Sequence, residues 1–264
     1  MNNQISFFTA VISVFFMFNT CIYAQTVVAY YPFNGNADNR VSSSSAGTVK
    51  GAILTTDRFG NPNSAYSFNG KSDVILFSDN SVVNFQEHES FAICLWFKTA
   101  GKKKYMFPLA TGVQIFKPGI FTAVNYAFGG KKGCIAFGIG GTKSMDSKNA
   151  VLIRTKESTF NDDQWHHLAI TVDRAAERIR IYVDGQMRQL VKIAGGGFLQ
   201  NQDTELNITQ LGFDPTPSHP FMIGASESSF DQYFEGIIDD VVILKGAVSP
   251  QQVRDLYENT FKLP

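Results

Sequence analysis

The chain has 264 residues, 44% hydrophobic and 17% charged, the make-up of a globular protein with material for one large β-sandwich or two smaller domains. Lys and Arg total 23, as do Asp and Glu, so the formal net charge is +0. No overall field draws such a protein to nucleic acid or to an anionic membrane, and both are set aside as principal partners.

Residues 1–24 carry no charged side chain and hold an apolar run from Ile5 to Phe18. That run falls short of the roughly 20 residues a membrane span needs. It suits the core of a signal peptide with Ala24 at the cleavage position, although no Lys or Arg precedes it. The expectation is a signal peptide at 1–24, a single domain at 25–264, secretion to the periplasm, cell surface or medium, and no membrane span in the mature chain. An uncleaved anchor is the weaker alternative. A lipidated Cys21 is weaker too, because Phe18-Asn19-Thr20 lacks the small and aliphatic residues such a cysteine follows. Cleavage leaves Cys94 and Cys134 in an oxidising compartment. A disulfide between them and two buried thiols acting as small hydrophobes fit the sequence equally.

Residues 27–33 read as a first strand with Pro32 near its exit. The loop after it sets Asn34, Asn36 and Asp38 at alternate positions, the way a loop offers hard oxygens to calcium, but lacks the Gly and Glu of an EF-hand. Asn, Gly and Asp are equally the residues of a plain turn. Further strands are predicted at 49–54, 65–68, 74–77 and 91–97. The last is apolar on both faces, as a central strand covered on both sides must be, and Trp96 reads as core. From 98 to 158 short strands alternate with Gly- and Lys-rich turns, and the lysine runs at 102–104 and 131–132 read as solvated hairpin tips.

The centre of the chain is 163–173 followed by 178–183. Leu168, Ile170 and Val172 alternate with polar or small residues, as do Ile179, Ile181 and Val183, so each run is a strand with one buried face. The connection is too short for a parallel crossover, and the pair must be antiparallel. Asp184-Gly185 turns the chain again. Residues 194–220 form the longest stretch without periodicity and the first candidate for ligand contact. A short strand follows at 221–225 and a long one at 234–244. The second carries Asp239 and Asp240, which simple alternation sends to opposite faces, the inward one needing a partner or a cation. Ser249, Pro250 and Gln252 then open a helix as N-cap, first residue and capping-box partner, with Val253, Leu256 and Tyr257 as its apolar stripe.

Several motifs in this order, Tyr31-Pro32-Phe33-Asn34-Gly35, Asp57-Arg58-Phe59-Gly60, Ala65-Tyr66-Ser67-Phe68-Asn69-Gly70, Trp165-His166-His167, Tyr182-Val183-Asp184-Gly185 and Glu235-Gly236-Ile237-Ile238-Asp239-Asp240, resemble the laminin-G-like jellyroll domains of the concanavalin A-like superfamily. The resemblance spans nearly all of 27–259 and implies an all-β, two-sheet antiparallel jellyroll sandwich with a short C-terminal helix, of the bacterial secreted type. It also implies a structural calcium, with Asp38 and Asp240 as carboxylate ligands and backbone oxygens near Asn34 and Gly70.

Catalysis finds little footing. The Trp-His-His triplet reads as part of the fold, with His166 and His167 facing opposite ways, and no Gly-x-Ser-x-Gly elbow occurs. The Glu-x-Asp-x-x-Glu strand of laminarinase-type glycosidases is absent, and Glu227, Asp231 and Glu235 are spaced by four. The sequence therefore reads as a secreted, non-catalytic binding module with carbohydrate as its expected ligand. Phe213, Asp214, His219, Phe230, Asp231, Gln232 and Tyr233 are the candidate contacts. A protein-binding or adhesion module is the alternative, and a glycoside hydrolase the less favoured one.

Overall fold

The computed structural model describes residues 25–264 except 112–117, 127–131, 141–149, 198–202, 210, 213–214, 218 and 227–231. Among the described residues, two antiparallel sheets of nine and eight strands face each other. The first runs from Gln186–Met187 through Arg178–Val183, Trp165–Asp173, Phe91–Lys98, Glu235–Lys245 and Ala65–Asn69 to Ile53–Thr55. Thr26–Tyr31 joins it along Glu235–Lys245, and Glu205–Asn207 lies beside Arg178–Val183. The second runs from Leu190–Gly195 through Val151–Thr155, Ile135–Gly140, Gly119–Val124, Met106–Ala110, Phe221–Ile223 and Val74–Phe77 to Gly47–Lys50. This is the two-sheet jellyroll sandwich that the resemblance implies, built from the strands that the alternation predicts.

Period-two patterning builds the core. Ile93, Leu95 and Phe97 lie beside Leu168, Ile170 and Val172, and all pack across the interlayer against Ile120, Phe137 and Ile153 of the second sheet. The opposite parity of the central strand is also covered. Ala92 and Cys94, with Ala169, Val242 and Leu244, meet Val253 and Leu256 of the helix Pro250–Tyr257. That is why residues 91–97 are apolar on both faces. Each fully buried side chain of this kind contributes about 1.5–3 kcal/mol. The helix starts where the capping box requires: Gln252 N donates to Ser249 Oγ (3.2 Å), and Ser249 N donates to Gln252 Oε1 (2.9 Å).

The central hairpin pairs Leu168 with Val183 through to Asp173 with Arg178. Asp184 and Gly185, at φ 55° and 70°, supply the two left-handed residues of its next tight turn.

Three expectations change. Simple alternation fails at Asp239 and Asp240, because Asp240 sits at φ 44° and the register with Phe91–Lys98 slips between Asp239 and Val242. This bulge brings the two carboxylates to one group instead of sending them to opposite faces. Cys94 and Cys134 are both buried free thiols, Cys94 on the outer side of the first sheet beneath the helix and Cys134 at the entry to a strand of the second. Of the two readings left open for them, the structure carries the small hydrophobes. Finally, the aperiodic stretch at 194–220 contains a strand, Glu205–Asn207, that extends the first sheet.

Candidate functional site

The two ends of the first sheet use their polar residues differently. At the end containing Lys98, the bulge points Asp239 and Asp240 at Arg58, whose side chain is 7% exposed. Arg58 Nη1 donates to Asp239 Oδ2 (2.9 Å) and Asp240 Oδ2 (2.6 Å), and Nη2 donates to Asn259 Oδ1 (2.6 Å). The remaining carboxylate oxygens are also engaged. The Tyr30 hydroxyl donates to Asp240 Oδ1 (2.8 Å), and the Asp240 amide donates to Asp239 Oδ1 (2.8 Å). Burial, then the Asp240 charge, push the Asp239 carboxyl up to about 8 against the pull of Arg58. The guanidinium lies between two rings, 4.5 Å from the centre of Trp96 and 4.2 Å from that of Phe59. Trp96 in turn stacks on Tyr257 of the helix at 5.6 Å. One arginine thus joins a loop, the last strand and the C-terminal segment.

The adjacent histidines occupy opposite environments. His166 turns inward beside Phe97 and Phe160, with Nδ1 2.9 Å from Asp184 Oδ2 and Nε2 3.1 Å from Asp162 Oδ1. Burial lowers its pKa, but the bonds and charges of the two aspartates outweigh burial and raise it. An imidazole with a carboxylate beside each nitrogen has both ring positions taken by its own neighbours, not left open to a substrate. His167 turns outward against Trp96 and Tyr257, and its Nδ1 has no hydrogen-bond partner. Burial, helped by Arg58, pushes it down to about 3 even though Asp184 pulls the other way.

Two members of the calcium set implied by the resemblance already hold a cation of the chain itself. Asn34 and Asp38 are exposed on the first loop, and Asp38 acts on Tyr66, which packs on the interlayer side of the sheet. Asp240 is engaged on the outer side, beside Arg58. The Gly70 carbonyl accepts from the Lys103 ammonium. Among the described residues no three His, Cys, Asp or Glu side chains converge on a common point. A divalent ion at Asp240 or Gly70 would face a guanidinium or an ammonium already in place, so these residues do not fit the ion.

At the opposite end, where the last strand finishes at Lys245, a cleft of about 780 Å³ opens. Five segments distant in sequence line it: Thr26; Glu87, His88, Glu89 and Ser90; the hairpin turn with Arg174 and Glu177; Ile208, Leu211 and Gly212; and Lys245, Gly246 and Ala247. Lys245 Nζ lies 3.3 Å from Glu89 Oε2. The Arg174 amide donates to Ser90 Oγ (2.9 Å), and its Nη2 donates to the Leu211 carbonyl (3.2 Å). Burial lowers the Arg174 pKa while Glu87 and Glu177 raise it. Glu177 also accepts from Thr209 Oγ1 (2.6 Å). Apolar Ile208 and Leu211 beneath, with carboxylates, a guanidinium and the exposed His88 above, suit a hydroxyl-rich ligand of a few units.

The predicted ligand contacts that are described lie away from this cleft. Phe213, Asp214, Phe230 and Asp231 lie outside the described residues. His219 is held near the second sheet, its amide donating to the Thr111 carbonyl and its own carbonyl accepting from Asn80 Nδ2. Gln232 is buried, and Tyr233 packs against Val74, Met222 and Ala225 on the outer side of that sheet. Among the described residues of the same long stretch, Ile208, Leu211 and Gly212 reach the cleft. The Gln86-Glu87-His88-Glu89 run between two apolar segments was the available signal for its other wall.

A family model described as concanavalin A-like lectin/glucanases superfamily matches residues 68–254, well over half of the chain. The protein belongs to this superfamily. No curated protein sequence matches. Among solved structures, one similar fold is Domain 4 of AbnA, a GH43 extracellular arabinanase from Geobacillus stearothermophilus, in complex with arabinotriose. The TM-score is 0.56 at 21% identity, over 88% of this chain and 98% of that domain. The binding domain of Paraclostridial Mosquitocidal Protein 1 (TM-score 0.61, 14% identity) and the receptor binding domain of botulinum neurotoxin D (0.58, 13%) each align over 89% of this chain. The chain spans about half the length of these two, 52% of each. At such identities the likenesses are likenesses of fold.

Proposed function

We propose that the protein is a secreted, non-catalytic carbohydrate-binding module that takes a glycan segment in the cleft at the Lys245 end of the first sheet. The observation that carries the reading is the cleft itself: its volume lies in the range of ligand sites, and it pairs an apolar floor with acid, base and guanidinium groups. The likeness to Domain 4 of the arabinanase supports it, because nearly the whole of that domain aligns and that domain holds arabinotriose. The capped state of His166 supports a role without catalysis. The apolar leader at 1–24 supports secretion, and no helix among the described residues is long and apolar enough to cross a membrane.

The test is titration calorimetry with arabinotriose and a panel of neutral oligosaccharides, alongside an assay for released reducing sugar. Binding without turnover is the expected result, weakened about tenfold, or 1.4 kcal/mol, in the double variant E87Q/H88A. Turnover would make the protein a glycosidase. The fold likeness to two toxin binding domains favours the second reading, a module for a protein receptor. Silence on every glycan would move the assignment there.

A further inference from the structure

We infer that Phe59 is a stacking platform for a neutral sugar ring, a second carbohydrate contact at the opposite end of the sheet from the cleft. The inference rests on the carbohydrate reading above. Phe59 is 62% exposed, and with Val41 and Ile53 it makes up the exposed large apolar side chains among the described residues. Unlike a stray surface residue, its ring is fixed. One face lies against the Arg58 guanidinium at 4.2 Å, and that guanidinium is itself held by Trp96, Asp239, Asp240 and Asn259.

The loop beneath it is closed by Asp57. Its Oδ1 accepts from the amides of Phe59 and Asn61 (both 2.8 Å), its Oδ2 accepts from Asn61 Nδ2 (2.8 Å), and its own amide donates to the Asn61 carbonyl (3.0 Å). The neighbouring loop is fastened alongside by Gly35 N donating to the Asn63 carbonyl (2.8 Å). This places exposed Asn34, Asn36, Asn61 and Asn63 on the two loops that carry the ring. A rigid aromatic with one free face loses little entropy on binding, and amides nearby can donate to and accept from hydroxyls.

The surroundings select the ligand class. A cationic ligand is disfavoured, because the guanidinium behind the ring already draws on its negative face. A protein side chain would look for a contiguous apolar patch, whereas the other exposed side chains of this loop and the one fastened to it include four asparagines. The oxygens of Asp57 are taken up by its own loop, so the polar side chains left open on that loop are neutral amides. A sugar presenting its C–H face to the ring and its hydroxyls to the asparagines fits these conditions. From Asp239, which holds Arg58, to Lys245 in the cleft, the last strand covers roughly 20 Å at about 3.3 Å per residue. One polysaccharide chain, or two neighbouring chains, can therefore engage both contacts, and the second gains from the first through effective concentration.

The experiment compares wild type, Phe59→Leu, Phe59→Trp and E87Q/H88A for retardation in gels containing soluble linear arabinan and other neutral polysaccharides, with a thermal melt of each. Leucine keeps an apolar cover over Arg58 but removes the ring. The expected result is an affinity at least tenfold lower for Phe59→Leu with an unchanged melt, retained by Phe59→Trp, and an independent loss in the cleft variant. Retardation of Phe59→Leu equal to wild type, or of Phe59→Trp as weak as Phe59→Leu, overturns the platform and leaves the cleft reading standing. A wild type that no neutral polysaccharide retards overturns both.

Discussion

The contrast between the two ends of the first sheet separates groups that serve the fold from groups free to serve a ligand. At the Lys98 end, Arg58, Asp239, Asp240, His166, Asp162 and Asp184 are bonded to one another or to near neighbours. At the Lys245 end, Lys245, Glu89, Arg174 and Glu177 have partners, while Glu87 and His88 stand exposed at an open cleft. Charged residues are equally plentiful in both places. The difference lies in whether their hydrogen-bonding capacity is already used, because a saturated, buried group has none to offer an incoming molecule.

The contrast is tested most severely at Arg58. Replacing it with methionine keeps much of the packing between Phe59 and Trp96 but leaves the buried Asp239 and half-buried Asp240 carboxyl groups with the charge they share and no guanidinium to hold it. Removing one partner of a buried ion pair costs about 3–5 kcal/mol, or a melting temperature lower by roughly 10 °C for a domain of this size. Arabinotriose binding in the cleft should survive in the protein that remains folded. The triple variant R58M/D239N/D240N should recover much of the loss, since the stranded charges go with their partner. A drop under 1 kcal/mol would show that the closed end is no more cohesive than a surface ion pair. The same network predicts that a chelator leaves the wild-type melt unchanged. A fall on chelation, reversed by calcium, would restore the metal that the residues as arranged do not fit.

The adjacent histidines sharpen the comparison through pH, because their signs oppose. His167 is held down to about 3, so between that value and its ordinary 6.5 the unfolded chain binds a proton the native state refuses. Stability therefore falls as pH drops below 6.5, by up to about 1.4 kcal/mol per unit. Because its Nδ1 has no partner, His167→Leu sacrifices little at pH 7 and should flatten this acid slope in denaturant titrations from pH 7 to 4. His166 is raised, so its contribution is complete below its unfolded value and disappears as pH climbs through the folded one. His166→Gln should remove a smaller, opposite slope on the neutral side. Slopes of the same sign for both residues would contradict the inward and outward placement.

Strand alternation in 165–173 and 178–183, the two-faced apolar run at 91–97 and the capping box at Ser249 made the sandwich and its helix readable, because each depends on near neighbours in sequence. The Asp239–Asp240 bulge was not readable. Nothing local marks an aspartate for φ 44°, and its cause, Arg58, lies 181 residues away from Asp239. The cleft was hidden for the same reason, since five segments separated by long stretches of chain meet only after both sheets have formed. The Phe59 platform was partly visible as Asp57-Arg58-Phe59-Gly60, a turn-rich motif, but its exposure follows from the guanidinium behind it.

The smallest expected effect completes the comparison. Lys245 and Glu89 stand 3.3 Å apart at the open end, with side chains 30% and 27% exposed. Water screens such a pair and both side chains lose rotamer freedom in forming it, so exposed pairs contribute about 0–1 kcal/mol. Lys245→Ala should accordingly shift the melt by no more than a few degrees while freeing the Glu89 carboxylate toward the cleft. If the cleft binds sugar hydroxyls, the freed acceptor changes the affinity for arabinotriose more than it changes stability, the reverse of the pattern at Arg58. A loss of stability near that of R58M would place Lys245 in the fold's own bonding and remove the distinction between the two ends.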